Sequence, residues 1–424
     1  MNLSRIRSFF STYASRLAHF HPNARLYLIY AMLIGASMGI FRLLFNFYAL
    51  SLGFDEAALG QFVTTNNMTS LLVILPIGYL ADRLGRKNSL LISGTLTAVA
   101  IALMVVSPNT PTLFLMNVVF GIAQSLAGVT MSPFLMENSS PEERTYLFSF
   151  GQGLQMVSSS LGNWIGGYLP GWAAGVLLVS ATSSGAYGLS LLIVAAAGGL
   201  SLLPLFFLRT YTLAKSERTH FNPIGYARHN GALLTKLILP SLVTSIGAGL
   251  IMPFMNVFFR QVHGLPDPMI GTLFAWGSLS MGIGLLIAPP LAERFGKIQL
   301  VVITQALSIP FLFLLGFSPW LWLATAAYYI RVALMNMSGP VYQTFVMEHV
   351  EPSSRATVAS LANMAWNFGW AFSPTISGWL QVRYGFGAAF AGTIALYIIS
   401  TALYWWFFWH AKKTAQFLTV QSEA

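Results

Sequence analysis

The sequence predicts an all-α integral membrane protein, with twelve transmembrane helices in two pseudo-symmetric six-helix bundles. Three observations predict it. Of 424 residues, 55% are hydrophobic and only 8% are charged, whereas a soluble domain carries about 25% charged residues. The apolar residues form continuous runs of the ~20 residues needed to cross a ~30 Å hydrocarbon layer, not the ten-residue alternation of a barrel. Finally, the charged decapeptide Gly78–Lys87 returns in weaker form as Leu291–Lys297. A shift of 211 positions carries Leu80 to Leu291, Asp82 to Glu293, Arg83 to Arg294, Gly85 to Gly296 and Arg86 to Lys297.

Residues 1–25 hold Arg5, Arg7, Arg16 and Arg25 and no acid. They read as a cytoplasmic amphipathic arm touching anionic lipid, though a transit peptide shares this composition. The Phe9-Phe10 patch is too short for a secretory core. The first bundle, 26–208, comprises spans at Leu26–Leu50, Ala57–Leu80, Asn88–Val106, Thr112–Met136, Tyr146–Leu169 and Tyr187–Leu208. A basic cytoplasmic linker follows at 209–236. The second bundle, 237–410, comprises Leu237–Gln261, Met269–Leu291, Ile298–Phe317, Trp320–Met347, Ala356–Val382 and Ala388–Trp409, and 411–424 forms a cytoplasmic tail.

Lys and Arg set the orientation. With the N-terminus inside, eighteen of them fall on cytoplasmic segments, and Arg260 and Arg383 fall on the other side. The net charge of +10 is thus a topology signal and does not point to nucleic acid. Trp320 and Trp322, and Trp405, Trp406 and Trp409, fit interfacial belts.

The repeat stays in register from about Gly53 to Leu169. Gly53 and Gly60 fall on Gly264 and Gly271, Glu137 on Glu348, Pro141 on Pro352, Arg144 on Arg355 and Gly167 on Gly378. Pro170–Ala186 breaks it. The apolar piece Ala173–Val179 inside that stretch is too short to span and is expected to lie at the interface as part of a loop.

Several chemistries are excluded. The chain has no cysteine, hence no disulfide, thiol catalysis or cysteine-held metal. No P-loop is present, so ATP-driven transport is not expected. No nucleophile–base set and no metal-ligand spacing appear. His349, beside Glu348, reads as a solvated loop histidine. The expectation is a non-enzyme with no cofactor and no metal.

Two sets of six spans, a central basic linker and the motif after the second span together resemble the major facilitator superfamily of secondary transporters. Gly78, Asp82, Arg83, Gly85, Arg86 and Lys87 fill that family's loop motif, and Glu293, Arg294, Gly296 and Lys297 occupy the repeat. The resemblance implies that Asp82 faces the N-terminus of the eleventh helix, where the helix dipole is positive. Arg86, Glu137 and Arg144 would complete a charge network, mirrored by Glu293, Lys297, Glu348 and Arg355, that opens and closes with the cavity. The plainer alternative is topology anchors at solvated helix ends, where a pair contributes at most about 1 kcal/mol. Two departures weaken a drug/proton antiport reading. Asn163 stands where those antiporters often have proline, in Gly162-Asn163-Trp164-Ile165-Gly166-Gly167, and the fourth span offers neutral Asn117 where they often have arginine.

Spans 3, 6, 9 and 12 have no charged residue in their cores, which suits lipid-facing positions. Arg42 and Arg331 lie well inside the membrane. Arg42 is 17 residues beyond Arg25, roughly 25 Å along a helix. A charge at the bilayer centre costs about 2.5 kcal/mol or more, so each either binds a ligand or locks helices through carbonyls and neighbours. No acid lies mid-membrane, so the cavity carries positive charge only. That favours an organic anion or anionic amphiphile, since arginine grips carboxylate or phosphate with paired hydrogen bonds. Asn46, one turn from Arg42, and Asn66, Asn67, Gln124, Gln152, Gln155, Asn256, Asn336, Asn363, Trp366, Asn367 and Trp370 complete the candidate cavity. Each polar member could equally be interhelical glue at about 0.6 kcal/mol. Met252, Met255, Met335 and Met337 could line an adaptable pocket, with ordinary packing the simpler reading. Gly35, Gly39, Gly162 and Gly166 allow close helix approach.

The leading expectation is a transporter working by alternating access on a small molecule, with a possible coupling ion. It is expected to be monomeric and to sit in a bacterial inner membrane. The alternatives are multidrug efflux and a non-transporting receptor or lipid-handling protein on the same scaffold.

Overall fold

A computed structural model describes residues 20–209, 230–350 and 355–410. Bridging short breaks, they form twelve long helical segments: α1 Pro22–Ser51, α2 Glu56–Leu84, α3 Arg86–Val106, α4 Thr110–Glu137, α5 Pro141–Leu177, α6 Ser184–Phe206, α7 Gly231–His263, α8 Asp267–Phe295, α9 Lys297–Phe317, α10 Leu321–Glu348, α11 Arg355–Tyr384 and α12 Phe386–His410. The described residues contain no strand. Eight segments are long and apolar enough to cross a membrane by length and composition. The other four, α2, α5, α10 and α11, carry Asn66, Asn67, Gln152, Gln155, Arg331, Asn336, Asn363 and Asn367.

Local chemistry explains the helix ends. The Asn109 side chain accepts from the Thr112 N–H at 2.9 Å, starting α4. Ser183 does the same for the Ala186 N–H at 3.2 Å, starting α6. Both satisfy amides that the first turn leaves without a carbonyl. The turns before α3 and α9 are built on Gly85 (φ 79, ψ 158) and its repeat mate Gly296 (φ 93, ψ 148). A side chain is strained in this backbone region, so the two halves make the same corner with the same residue.

The end of α5 departs from expectation. Ala173–Val179 is not a separate interfacial loop, because α5 runs on through Pro170 to Leu177. Ala173 and Ala174 are buried against Ala186 and Leu189. A proline costs one helical hydrogen bond, and the small residues beyond it still gain a packed face. α7 is interrupted where the sequence suggests a continuous helix. Met252–Phe254 is a 3-10 turn with Pro253 inside it.

Two compact units are present. The first holds the described residues up to Leu52 and from Leu72 to Arg209. The second holds Gly53–Leu71 and the described residues from Asn230 onward. In the first, α1 and α5 meet at backbone distance. A Cβ on Gly39 would lie 2.3 Å from the Ser159 carbonyl oxygen, and one on Gly162 would lie 2.1 Å from that of Ala36. The second unit pairs α7 and α11, the repeat mates of α1 and α5, through Gly249 on Ser373 and Gly369 on Ser245. One apolar core gathers Tyr27, Leu28, Phe134, Leu135, Leu202 and Leu205, and the other Leu237, Val301, Val341, Tyr342, Val346 and Tyr404. Asn23, at the start of α1, is buried and ties three elements. It donates to the Asn138 side chain at 2.9 Å and the Arg209 carbonyl at 2.8 Å, and accepts from the Arg209 N–H at 3.0 Å.

Candidate functional site

The glycine corner at Gly85 brings the end of α2 beside the start of α3. Arg86 Nη1 donates to Asp82 Oδ1 at 2.8 Å, and its Nε donates to Glu137 Oε1, at the end of α4, at 3.0 Å. The side chains are 24% exposed at Arg86 and 47% at Asp82, so each pair is screened and contributes at most about 1 kcal/mol to stability. Lys87 has a different job. Its Nζ donates to the carbonyls of Phe206 at 2.6 Å and Leu208 at 2.9 Å, a cation on the terminal carbonyls of α6. The Arg83 guanidinium carbon lies 4.6 Å from the Tyr79 ring centre, a cation–π contact. Gly78 has open space where a Cβ would stand.

The second unit repeats half of this arrangement. Lys297 pairs with Glu348, the mate of Arg86 with Glu137. Glu293 is exposed and makes no hydrogen bond or ion pair among the described residues. Arg294 instead lies over the Phe295 ring, 5.4 Å from its centre. The side chains of Arg144 and Arg355 lie outside those described.

In the first unit, Arg42 is exposed on α1, and no hydrogen bond or ion pair holds it among the described residues. Asn46, one turn on, is buried. Gln124 on α4 and Gln152 and Gln155 on α5 are exposed. In the second unit, Asn67 Nδ2 donates to the Trp370 carbonyl at 3.1 Å, so two residues of the candidate set meet. The Trp370 indole N–H is buried with no partner. Asn66 is half-buried beside Asn67 on α2. Asn336 is turned back onto the Val332 carbonyl at 2.8 Å. Asn256 is buried, accepting from the Val257 N–H at 3.0 Å. Asn363, Trp366 and Asn367 are exposed on α11.

Arg331 has a contrasting environment. It is 2% exposed, and its Nη2 donates to Tyr397 Oη, on α12, at 3.1 Å. Its Nη1 approaches Met252 Sδ at 3.9 Å, at the break in α7. The guanidinium therefore joins α7, α10 and α12, and its Nε–H has no partner. Of the methionines, Met252 touches this arginine, while Met255 and Met337 are buried. His349 stands at the end of α10, exposed, its ring 4.1 Å from that of Phe345.

Several contacts have no sequence signal beyond residue type. Thr64 and Thr375 share a hydroxyl hydrogen bond at 2.8 Å between α2 and α11. Gln261 donates to Glu56 at 2.5 Å, and Arg260 pairs with Asp267. Tyr397 could have been sought as a partner for a buried arginine, but a tyrosine in an otherwise apolar helix reads first as an interfacial aromatic.

Comparison with known proteins adds the family. The family model described as Major Facilitator Superfamily matches residues 27–374 and 237–423. Multidrug resistance protein MdtG of Salmonella paratyphi C is 24% identical over 340 residues, covering 78% of this chain and 80% of that protein. The Salmonella typhimurium MdtG gives the same identity and coverage. Among solved structures, nucleoside transporter NupG superimposes with a TM-score of 0.73 at 16% identity, covering 91% of this chain and 99% of that one. A bacterial homologue of the human lysosomal transporter Spinster, in an inward-facing and unoccupied conformation, gives 0.73 at 15% identity, covering 93% and 96%. The D-xylose-proton symporter gives 0.70 at 15%, covering 91% and 97%.

Proposed function

The chain belongs to the Major Facilitator Superfamily, an all-helical family of membrane transporters, and on that footing we propose that it moves a small organic anion or anionic amphiphile by alternating access through a positively charged cavity. Arg42 carries this reading. It is exposed in the body of α1 and has no counter-ion among the described residues. The described acids Asp55, Glu56, Asp82, Glu137, Asp267, Glu293 and Glu348 all stand at or near helix ends. A guanidinium left open in such a helix is suited to a carboxylate or phosphate. Gln152 and Gln155, exposed on α5 of the same unit, would supply neutral hydrogen bonds. The charges at Asp82, Arg86, Glu137, Lys297 and Glu348 would act as the gate. Both termini and the linker would lie in the cytoplasm of a bacterial inner membrane, in keeping with the excess of Lys and Arg there.

The test is exchange in sealed proteoliposomes. The parent should accumulate labelled organic anions. Arg42→Ala should lose at least tenfold in rate with an unchanged melting temperature, since the side chain is exposed and unbonded. Equal transport by Arg42→Ala sinks the anionic-substrate reading.

Broad drug export is the second reading, and the MdtG relatives favour it. The exposed Trp366 would give an adaptable aromatic contact. Export of lipophilic cations driven by a pH gradient, with Arg42→Ala indifferent, would make it the better account.

A further inference from the structure

Arg331 lies within α10 and makes no ion pair among the described residues. A guanidinium offers five N–H donors and no acceptor. Two meet partners here, the Tyr397 oxygen and the Met252 sulfur, and sulfur is a weak acceptor. The Nε–H meets none. Tyr397 adds to the surplus. Its oxygen accepts from Arg331, which leaves its own O–H proton without a described acceptor. Nor can the phenol easily withdraw. A Cβ on Gly247 would lie 2.8 Å from the Tyr397 ring, so the ring is seated against α7. Thr393, one turn earlier on α12, does not relieve the surplus, because its hydroxyl already donates to the Gly247 and Ala389 carbonyls. Buried donors normally find acceptors, and a buried charge normally finds a counter-charge. Here both are in deficit at the same atoms.

We propose that Arg331 and Tyr397 hold a small monovalent anion inside the second unit, either a free halide or the anionic group of a small organic solute. A single negative charge matches the single positive one, and the burial of the guanidinium selects for small size. The halide form stands whether or not the transported molecule is an anion, so this inference and the Arg42 reading can fail separately.

The experiment is thermal melting of the full chain in detergent, followed by tryptophan fluorescence at constant ionic strength. Sodium isethionate, a bulky anion, is replaced stepwise by sodium bromide, and in a parallel series by sodium acetate. A ligand of the folded state gives a saturable rise in melting temperature. Bromide acting alone identifies a free halide, and acetate acting alone identifies the organic group. Tyr397→Phe keeps the ring and removes the hydroxyl. It should raise the half-saturating concentration about tenfold, as expected for losing one hydrogen bond to an ion. The proposal is overturned if neither anion gives a saturable rise, or if Tyr397→Phe responds at the parent's concentration. Anomalous diffraction from bromide-soaked crystals of the parent gives a readout free of any variant. A peak within hydrogen-bond distance of Arg331 Nε supports the halide site. Its absence under saturating bromide removes it.

Discussion

Gly60 of α2 and Pro374 of α11 stand so close that a Cβ on Gly60 would lie 2.2 Å from the Pro374 carbonyl oxygen. One turn earlier on α2, the Glu56 carbonyl meets Gly378 in the same way, and one turn later Thr64 bonds Thr375. Gly60→Val should therefore force the two helices apart, at an overpacking cost of about 1–3 kcal/mol. The chain has no cysteine, so Thr64→Cys with Thr375→Cys gives a clean cross-linking reporter. The disulfide should form readily in the otherwise unaltered chain and poorly with Gly60→Val. Equal yields would mean the glycine contact does not hold the helices.

Arg86 and Lys87 are neighbours with separable roles. Arg86→Gln should lower stability by less than about 1 kcal/mol, because its pairs are solvent-screened, yet reduce transport at least tenfold if the pairs gate the cycle. Lys87→Met should do the reverse. Losing the cation on the end of α6 costs about 1–2 kcal/mol, with transport largely kept. Melting temperature and proteoliposome exchange, measured on both variants, check the dissociation.

Asn23→Ala should be among the more damaging polar truncations. It leaves the Arg209 N–H and carbonyl and the Asn138 side chain without their partner in a buried setting, at about 2–3 kcal/mol. A drop of several degrees in melting temperature is expected, and a shift below one degree would contradict the hub assignment.

Arg331→Met should lower the melting temperature less than Arg331→Ala. Methionine fills most of the space between Tyr397 and Met252, whereas alanine leaves a cavity, and large-to-alanine changes in a core cost about 2–5 kcal/mol. A parallel pair of melts decides it. Alanine equal to methionine would show that the space around Arg331 collapses without cost.

The charges and glycines that the sequence singles out are those that chain distance can reveal. The shift of 211 residues sets Lys297 and Glu348 in the places of Arg86 and Glu137, and the pairing of acid with base is what the family resemblance implies. The same register anticipates Gly85 and Gly296 as equivalent corners. Partners chosen by packing were not legible. Lys87 reads as one more loop cation, and only the fold brings it to carbonyls 119 and 121 residues away. Arg331 reads as a cavity charge, and its contact with Tyr397 depends on the rotation of α12, which an apolar helix with little periodicity does not encode. The continuation of α5 past Pro170 is not legible, because a proline followed by a short apolar run resembles a loop, and its burial against Ala186 is a tertiary fact.

The mirrored pairs are unequal. Arg86 forks between two carboxylates, while Lys297 meets Glu348 and leaves Glu293 unengaged among the described residues. A fork survives the loss of one tine, and a single contact has no reserve. On warming or in strong salt, the corner at Gly296 should fray before the corner at Gly85, so two copies of one motif should let go in a fixed order.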